Sequence, residues 1–295
     1  MQAVTLDDTM LVGATATEEG AREMSLGIAF KGPEGIVLAA DSRVTLTASR
    51  QTGQVTETLP AYFDNATKLL RVKKQRYVGA ITYGVGALGQ PEPRTAHSYL
   101  PEFENELPEW EIERLSTEEF ARRLGQFFLG RWNDAMPADY RGPNMMFLVG
   151  GYDEGEPYGR TYEVGIPSAP APVERSPGAV FGVTWGGQTE LADRLIQGFD
   201  RAVPVLAQRN LGLTDEQRDA LQAELKGKLQ APIPFQFLPL QDCVDLSIFV
   251  IRATIEIQRW MIGVRGVGGA IDVATIDRID GFKPIQRKEI KGESK

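Results

Sequence analysis

The sequence holds one cysteine, Cys243, and one histidine, His97, and each scarcity closes off a class of chemistry. A lone cysteine forms no internal disulfide and fits a reducing compartment. One cysteine and one histidine do not furnish the ligand set of a zinc site, so Cys243 reads as a core thiol. A Ser-His-Asp hydrolase would have to use His97, which sits in a stretch rich in proline and charge, and the chain has no GxSxG elbow. No apolar run nears the roughly 18 residues that a membrane span requires. Residues 1–24 carry Asp7, Asp8, Glu18 and Glu19 and lack the basic start and apolar stretch of a signal peptide. Nor do like charges gather in long blocks. The net charge of -8 is spread over both signs, which argues against nucleic acid or an anionic membrane as partner. A cytoplasmic protein without metal or cofactor is expected.

What is present suits a globular domain. Over 295 residues, 42% are hydrophobic and 24% charged, enough to bury a sizeable core. Residues 1–24 are small, polar and aperiodic, and read as an N-terminal extension or propeptide. Leu26, Ile28 and Phe30 alternate with Gly27, Ala29 and Lys31, the period of a half-buried strand. A Gly-Pro-Glu-Gly turn and the apolar run 36–40 complete a β-hairpin. A polar loop is expected from Thr45 to about Pro60, then strands over 68–73 and 77–83. Ser116 and Glu119 form a capping signal for a helix carrying Phe120, Leu124, Phe127 and Trp132, ending near Pro137. Strands follow at 145–151, 158–166 and 179–185, the last two joined by a Pro-rich loop. One helix over 188–208 is expected to kink or split at Pro204. Thr214 caps a charged helix to about Leu229, a solvated insertion near 211–232. Val244, Ile248, Ile251 and Ile255 mark a buried helix face, and strands at 268–277 and 281–285 close the chain. Strands and helices come in groups, which favours antiparallel sheets covered by helical layers, an α+β class, in one domain over 25–295.

Two motifs are decoys. Gly84-Val85-Gly86-Ala87-Leu88-Gly89 spells GxGxxG, but a dinucleotide site needs a helix to open directly after it, and Pro91 and Pro93 forbid one. It reads as a glycine turn. Asn65-Ala66-Thr67 matches a glycosylation acceptor without any secretion signal, a chance match.

One group of residues carries chemistry. Ser25 opens the first strand, Asp41 and Arg43 end the second, and Lys68 opens the third. The start of one hairpin strand lies beside the end of its partner. Ser25 and Asp41 are thus expected to be neighbours, with Lys68 on the next strand within reach of both.

These residues bring a resemblance into view. Ser25-Leu26-Gly27-Ile28-Ala29-Phe30-Lys31 with Gly35-Ile36-Val37-Leu38-Ala39-Ala40-Asp41-Ser42-Arg43-Val44-Thr45 resembles, without a gap, the opening of proteasome β subunits, the N-terminal-nucleophile hydrolases that include the bacterial Anbu type. The likeness continues in Lys68-Leu69, in Gly84 with Gly86, in Phe147-Leu148-Val149-Gly150-Gly151 and in Gly268-Gly269-Ala270-Ile271-Asp272-Val273. It implies a four-layer αββα sandwich and a homo-oligomeric ring acting on peptide or protein substrates, with an ATPase or another ring as a possible partner. It also implies Ser25 as nucleophile, Asp41 and Lys68 beside it, and Arg43 as a supporting charge. Gly84 would supply the oxyanion N–H, and Thr45 and Thr82 the substrate contacts.

The chain departs from the family pattern in three places. Serine stands for the usual threonine and lacks the methyl that fixes the rotamer. Gly186, Val264 and Val267 stand where active subunits carry accessory serine and aspartate. The amine of Ser25 lies within a peptide bond unless residues 1–24 are lost, by self-cleavage after Met24 or by translation from Met24 and removal of that methionine. Two readings follow: a peptidase acting through an exposed Ser25, and an inactive structural ring subunit.

Overall fold

The computed structural model describes residues 11–12, 24–52, 55–89 and 92–292. In chain order the first elements are β1 (Leu11–Val12), β2 (Leu26–Lys31), β3 (Ile36–Ala40), β4 (Val44–Thr52), β5 (Val55–Phe63), β6 (Leu69–Arg71) and β7 (Val78–Gly84). Next come β8 (Ala87–Leu88), β9 (Arg94–Thr95), α1 (Leu100–Asn105), α2 (Thr117–Ala135), β10 (Met145–Gly151), β11 (Arg160–Ile166) and β12 (Ala169–Arg175). The remainder is β13 (Gly182–Gly187), α3 (Glu190–Ile196), α4 (Ala202–Leu211), α5 (Asp215–Leu229), α6 (Leu240–Gln258), β14 (Asp272–Asp277) and β15 (Gly281–Gln286). Strands and helices are grouped, and every ladder is antiparallel. The fold is α+β. Among the described residues no helix is long and apolar enough to cross a membrane.

Two five-stranded sheets carry the core, one ordered β12-β11-β10-β7-β6 and the other β13-β2-β3-β14-β15. Side chains on successive strand residues point to opposite faces, and each face of both sheets finds an apolar partner. On β3, Ile36, Leu38 and Ala40 join Ile81, Tyr83 and Leu148 of the other sheet, while Val37 and Ala39 join Cys243, Val250 and Ile251 of α6. On β7, Val78 and Ala80 point the other way, toward Phe120, Leu124 and Phe128 of α2. This explains the unbroken apolar run of β3: a strand covered on both faces has no polar side to alternate with.

The helix signals resolve with their chemistry. Ser116 caps α2, its Oγ accepting from the Glu119 N–H at 3.1 Å. Thr214 and Gln217 form a full capping box at α5, which buries none of its residues. Among the described residues the GxGxxG stretch bends from the end of β7 into β8, which pairs with β9, and no helix opens before Ala96.

Three expectations differ from the fold. The segment read as a loop from Thr45 is the hairpin of β4 and β5, in register from Val44↔Phe63 to Thr52↔Val55. Its threonines count as polar but are β-branched, which suits strands. The Pro-rich loop contains β12, an edge strand. Pro170 and Pro172 lie two residues apart, a spacing at which both missing N–H groups can face away from the single neighbour, β11. The helix over 188–208 is two helices, broken at Gly198 with φ of 84°. Pro204 sits in the first turn of α4, where its missing N–H costs no helix bond.

Cys243 is fully buried between α6 and the sheet, and burial pushes its thiol up to about 12. A thiolate reagent at about pH 8 is therefore expected to find no thiol in the folded protein and one after unfolding. Rapid labelling of native protein would contradict this packing.

Candidate active site

The hairpin of β2 and β3 pairs Gly27 with Ala40. One step further, Leu26 and Asp41 face each other: the Leu26 N–H donates to Asp41 Oδ1 at 3.0 Å, and the Asp41 N–H to the Leu26 carbonyl at 3.4 Å. Ser25 thus lies at the same sheet end as Asp41. Lys68 arrives from the other sheet, at the mouth of β6. Its Nζ donates to Ser25 Oγ at 2.6 Å and to Asp41 Oδ1 at 2.7 Å. The three side chains named from the sequence share one buried site.

Asp41 is completely buried and fully engaged. Besides Leu26 and Lys68, its Oδ2 accepts from the backbone N–H groups of Arg43 at 3.1 Å and Gly268 at 3.0 Å. Burial pushes the Lys68 ammonium below the ordinary lysine value of 10.5; ionised Asp41 offsets part of this, and the cations Lys288 and Arg43 add to it. The consequence is a lysine that gives up its proton more readily than one in water.

Ser25 is held in a backbone conformation that serines seldom adopt, with φ of 84°. The surroundings impose it: its N–H donates to the Gly266 carbonyl at 3.0 Å, and its carbonyl accepts from the Gln188 N–H at 2.8 Å. Gly84 has φ of 79°, and a Cβ there would overlap the Asn144 carbonyl, so glycine is required on both counts. Its N–H donates to the Met24 carbonyl at 3.2 Å. The bond between Met24 and Ser25 therefore lies with its oxygen on that donor and its Ser25 hydroxyl on Lys68.

Arg43 is at the site through its backbone; its guanidinium forms a two-pronged ion pair with Asp64, at 2.5 and 2.7 Å, over the Tyr62 ring. Thr82 lines the cavity beside Ser25, and Thr45 does not line it. Both are buried, and neither hydroxyl finds a hydrogen-bond partner among the described residues. At Gly186 a Cβ would overlap the Tyr83 ring, whose hydroxyl donates to Glu163 at 3.1 Å, so no serine fits there without moving the tyrosine.

The sequence brought Val267 and Gly268 into the family likeness but did not reveal the loop contacts that close the site. Gly266, Val267 and Gly268 act through backbone atoms, and Gln258 holds them: its Oε1 accepts from the Val267 N–H at 3.1 Å, and its Nε2 donates to Gln188 Oε1 at 2.5 Å. The available signal was a glutamine on the buried face of α6, four residues after Thr254. His97 is exposed in a short 3-10 helix and lies outside the cluster.

Antiparallel sheets packed with helices make an α+β fold, with a buried serine, lysine and aspartate at one sheet end. Against solved structures, the chain is similar to a mutant of Anbu from Hyphomicrobium sp. strain MC1. The TM-score is 0.50 and the identity 15%, over 90% of this chain and 86% of that one. At that identity the likeness is one of fold. No protein-family model matches the chain, and no curated protein sequence does either.

Replacing Asp41 by alanine would strand a buried ammonium and three backbone N–H groups. The expected loss is about 3–5 kcal/mol of stability. Denaturant unfolding measures it, and a variant as stable as the parent would contradict the burial of this pair.

Proposed function

We propose that this chain is a proteasome-like peptidase subunit that hydrolyses peptide bonds through Ser25 once residues 1–24 are gone. The observation that carries the reading is the convergence of Ser25 Oγ, Lys68 Nζ and the Asp41 carboxylate beside the Gly84 N–H. Three stacked apolar clusters support the four-layer αββα arrangement: α2 against the first sheet, sheet against sheet, and the second sheet against α3 and α6.

In the mature form the Ser25 amine is the base. A free N-terminal amine has a pKa of about 7.7–8.0, and the cation of Lys68 lowers it further, so the neutral amine accepts the hydroxyl proton near neutral pH. Asp41 fixes Lys68 in place. The serine oxygen attacks the substrate carbonyl, the Gly84 N–H binds the developing oxyanion, and the protonated amine returns its proton to the leaving amine. Water hydrolyses the resulting ester. Thr45 and Thr82 flank the bound peptide, and Arg43 with Asp64 steadies the wall. Exposed Phe249, Ile257, Trp260, Met261 and Ile262, along and just beyond α6, support assembly with copies of the same chain.

The contact of Gly84 with the Met24 carbonyl supports release by the chain itself. Ser25 Oγ adds to the Met24 carbonyl carbon, its hydroxyl proton passes to the amide nitrogen, which leaves as the new amine, and water cleaves the ester to free the Met24 carboxylate and restore the hydroxyl. Translation from Met24 followed by methionine removal gives the same mature chain. The inactive ring subunit is the second reading, favoured by the Tyr83 ring at Gly186, which leaves no room for an accessory serine.

Intact mass and peptide hydrolysis decide between them. A chain starting at Ser25 is expected to hydrolyse peptides at a rate that rises with pH as the amine loses its proton, levelling off by about pH 8. Lys68→Met should cost roughly 100-fold or more, and Ser25→Ala should be inactive. A mature chain still beginning at Met1, or no hydrolysis by the trimmed chain, sinks the enzyme reading.

A further inference from the structure

Beside Ser25 lies a pocket bounded by Val44, Thr67, Thr82, Val85, Thr95 and Ala96. It leaves about 10 Å³, room for a single water molecule. Most of the walls are small side chains; the two large ones, Tyr83 and Lys68, are both held, Tyr83 by its hydroxyl on Glu163 and Lys68, the single charge, by Asp41 and Ser25.

Thr95 and Ala96 close the pocket, and they are held there firmly. Thr95 pairs with Ala87 across the ladder of β8 and β9, and its carbonyl accepts from Ser98 Oγ at 2.7 Å. Ala96 is buried in the core against α2. Arg94, next to them, lies over the Tyr99 ring at 3.9 Å and pairs with Glu102 at 2.7 Å. On the opposite rim a Cβ on Gly86 would come within 3.2 Å of Val44, so the two sides nearly touch. Such a pocket does not widen by turning a side chain.

The pocket also contains an unmet demand. Thr82 is buried and lines it, and its hydroxyl finds no partner among the described residues. Thr82 precedes Gly84 by two residues on β7, so it lies next to the N–H that holds a carbonyl oxygen. Met24 supplies that carbonyl here, yet it does not line the pocket and is partly exposed.

We propose that this pocket selects the residue on the acyl side of the cleaved bond by size. It takes glycine, alanine or serine, excludes large or charged side chains, and ranks serine above alanine because the serine hydroxyl can bond Thr82 Oγ1. This rests on Ser25 being the nucleophile. Thr95 and Ala96 become the specificity-determining residues, a role that neither has in the chemistry itself.

The test uses the chain beginning at Ser25 and matched tripeptide boronic acids that differ in the last residue: alanine, serine, leucine, phenylalanine, lysine or glutamate. Each competes with a β-lactone probe for labelling of Ser25, read by intact mass. Alanine and serine compounds are expected to compete at least about 10-fold better than the rest. Ala96→Gly together with Thr95→Gly should move the preference toward valine and leucine, and Thr82→Val should erase the advantage of serine over alanine. If the lactone labels Ser25 but leucine or phenylalanine compounds compete as well as alanine, this proposal falls and the nucleophile stands. If neither lactone nor any boronate engages Ser25, both fall.

Discussion

The buried pair of Lys68 and Asp41 ties one sheet to the other. Asp41 ends β3 in one sheet, Lys68 precedes β6 in the other, and 2.7 Å separates their charged atoms with almost no solvent around them. Removing two charges from water is costly, and their mutual attraction repays it only when every remaining lone pair is also satisfied. Asp41 meets that condition with three backbone N–H groups, drawn from β2, from the turn after β3 and from the glycine loop before β14. A single carboxylate thereby fixes four segments of chain. An apolar pair could also hold the sheets together but would not set an ammonium donor against the serine oxygen.

The burial that makes this pair costly also alters its chemistry. Taken out of water, Lys68 holds its proton less tightly, and nearby Lys288 adds to that effect from the C-terminal segment. Lys288 is itself anchored on Asp272, through its backbone N–H at 3.0 Å and through its ammonium. The positive charge near Ser25 is thus organised in two shells, each with its own carboxylate.

The candidate site was legible in its three converging side chains. Ser25, Asp41 and Lys68 stood out because a hydroxyl, an acid and a base closed off apolar strands, and the turn between β2 and β3 fixed which strand ends met. Much of the rest is written in backbone. Gly266 and Gly268 contribute a carbonyl and an N–H, atoms that every residue owns, so nothing in their identity announces the contact. Arg43 was legible as a charge but not as the partner of Asp64, since the intervening hairpin was read as loop. That misreading has a physical cause: threonine is polar by composition and strand-forming by shape. The proline strand β12 misled for the converse reason, because proline is excluded from strand interiors but not from edges.

The Met24 carbonyl on the Gly84 N–H has a further consequence on the proposed reading. The position that a foreign peptide must take is already filled by the molecule's own backbone, so an untrimmed copy is silent however much substrate surrounds it. Its silence ends through a broken covalent bond and not through a shift in equilibrium, which means it ends once and cannot be restored. Abundance of the protein and capacity for hydrolysis would then be separate quantities, joined by the rate of a single cut per molecule.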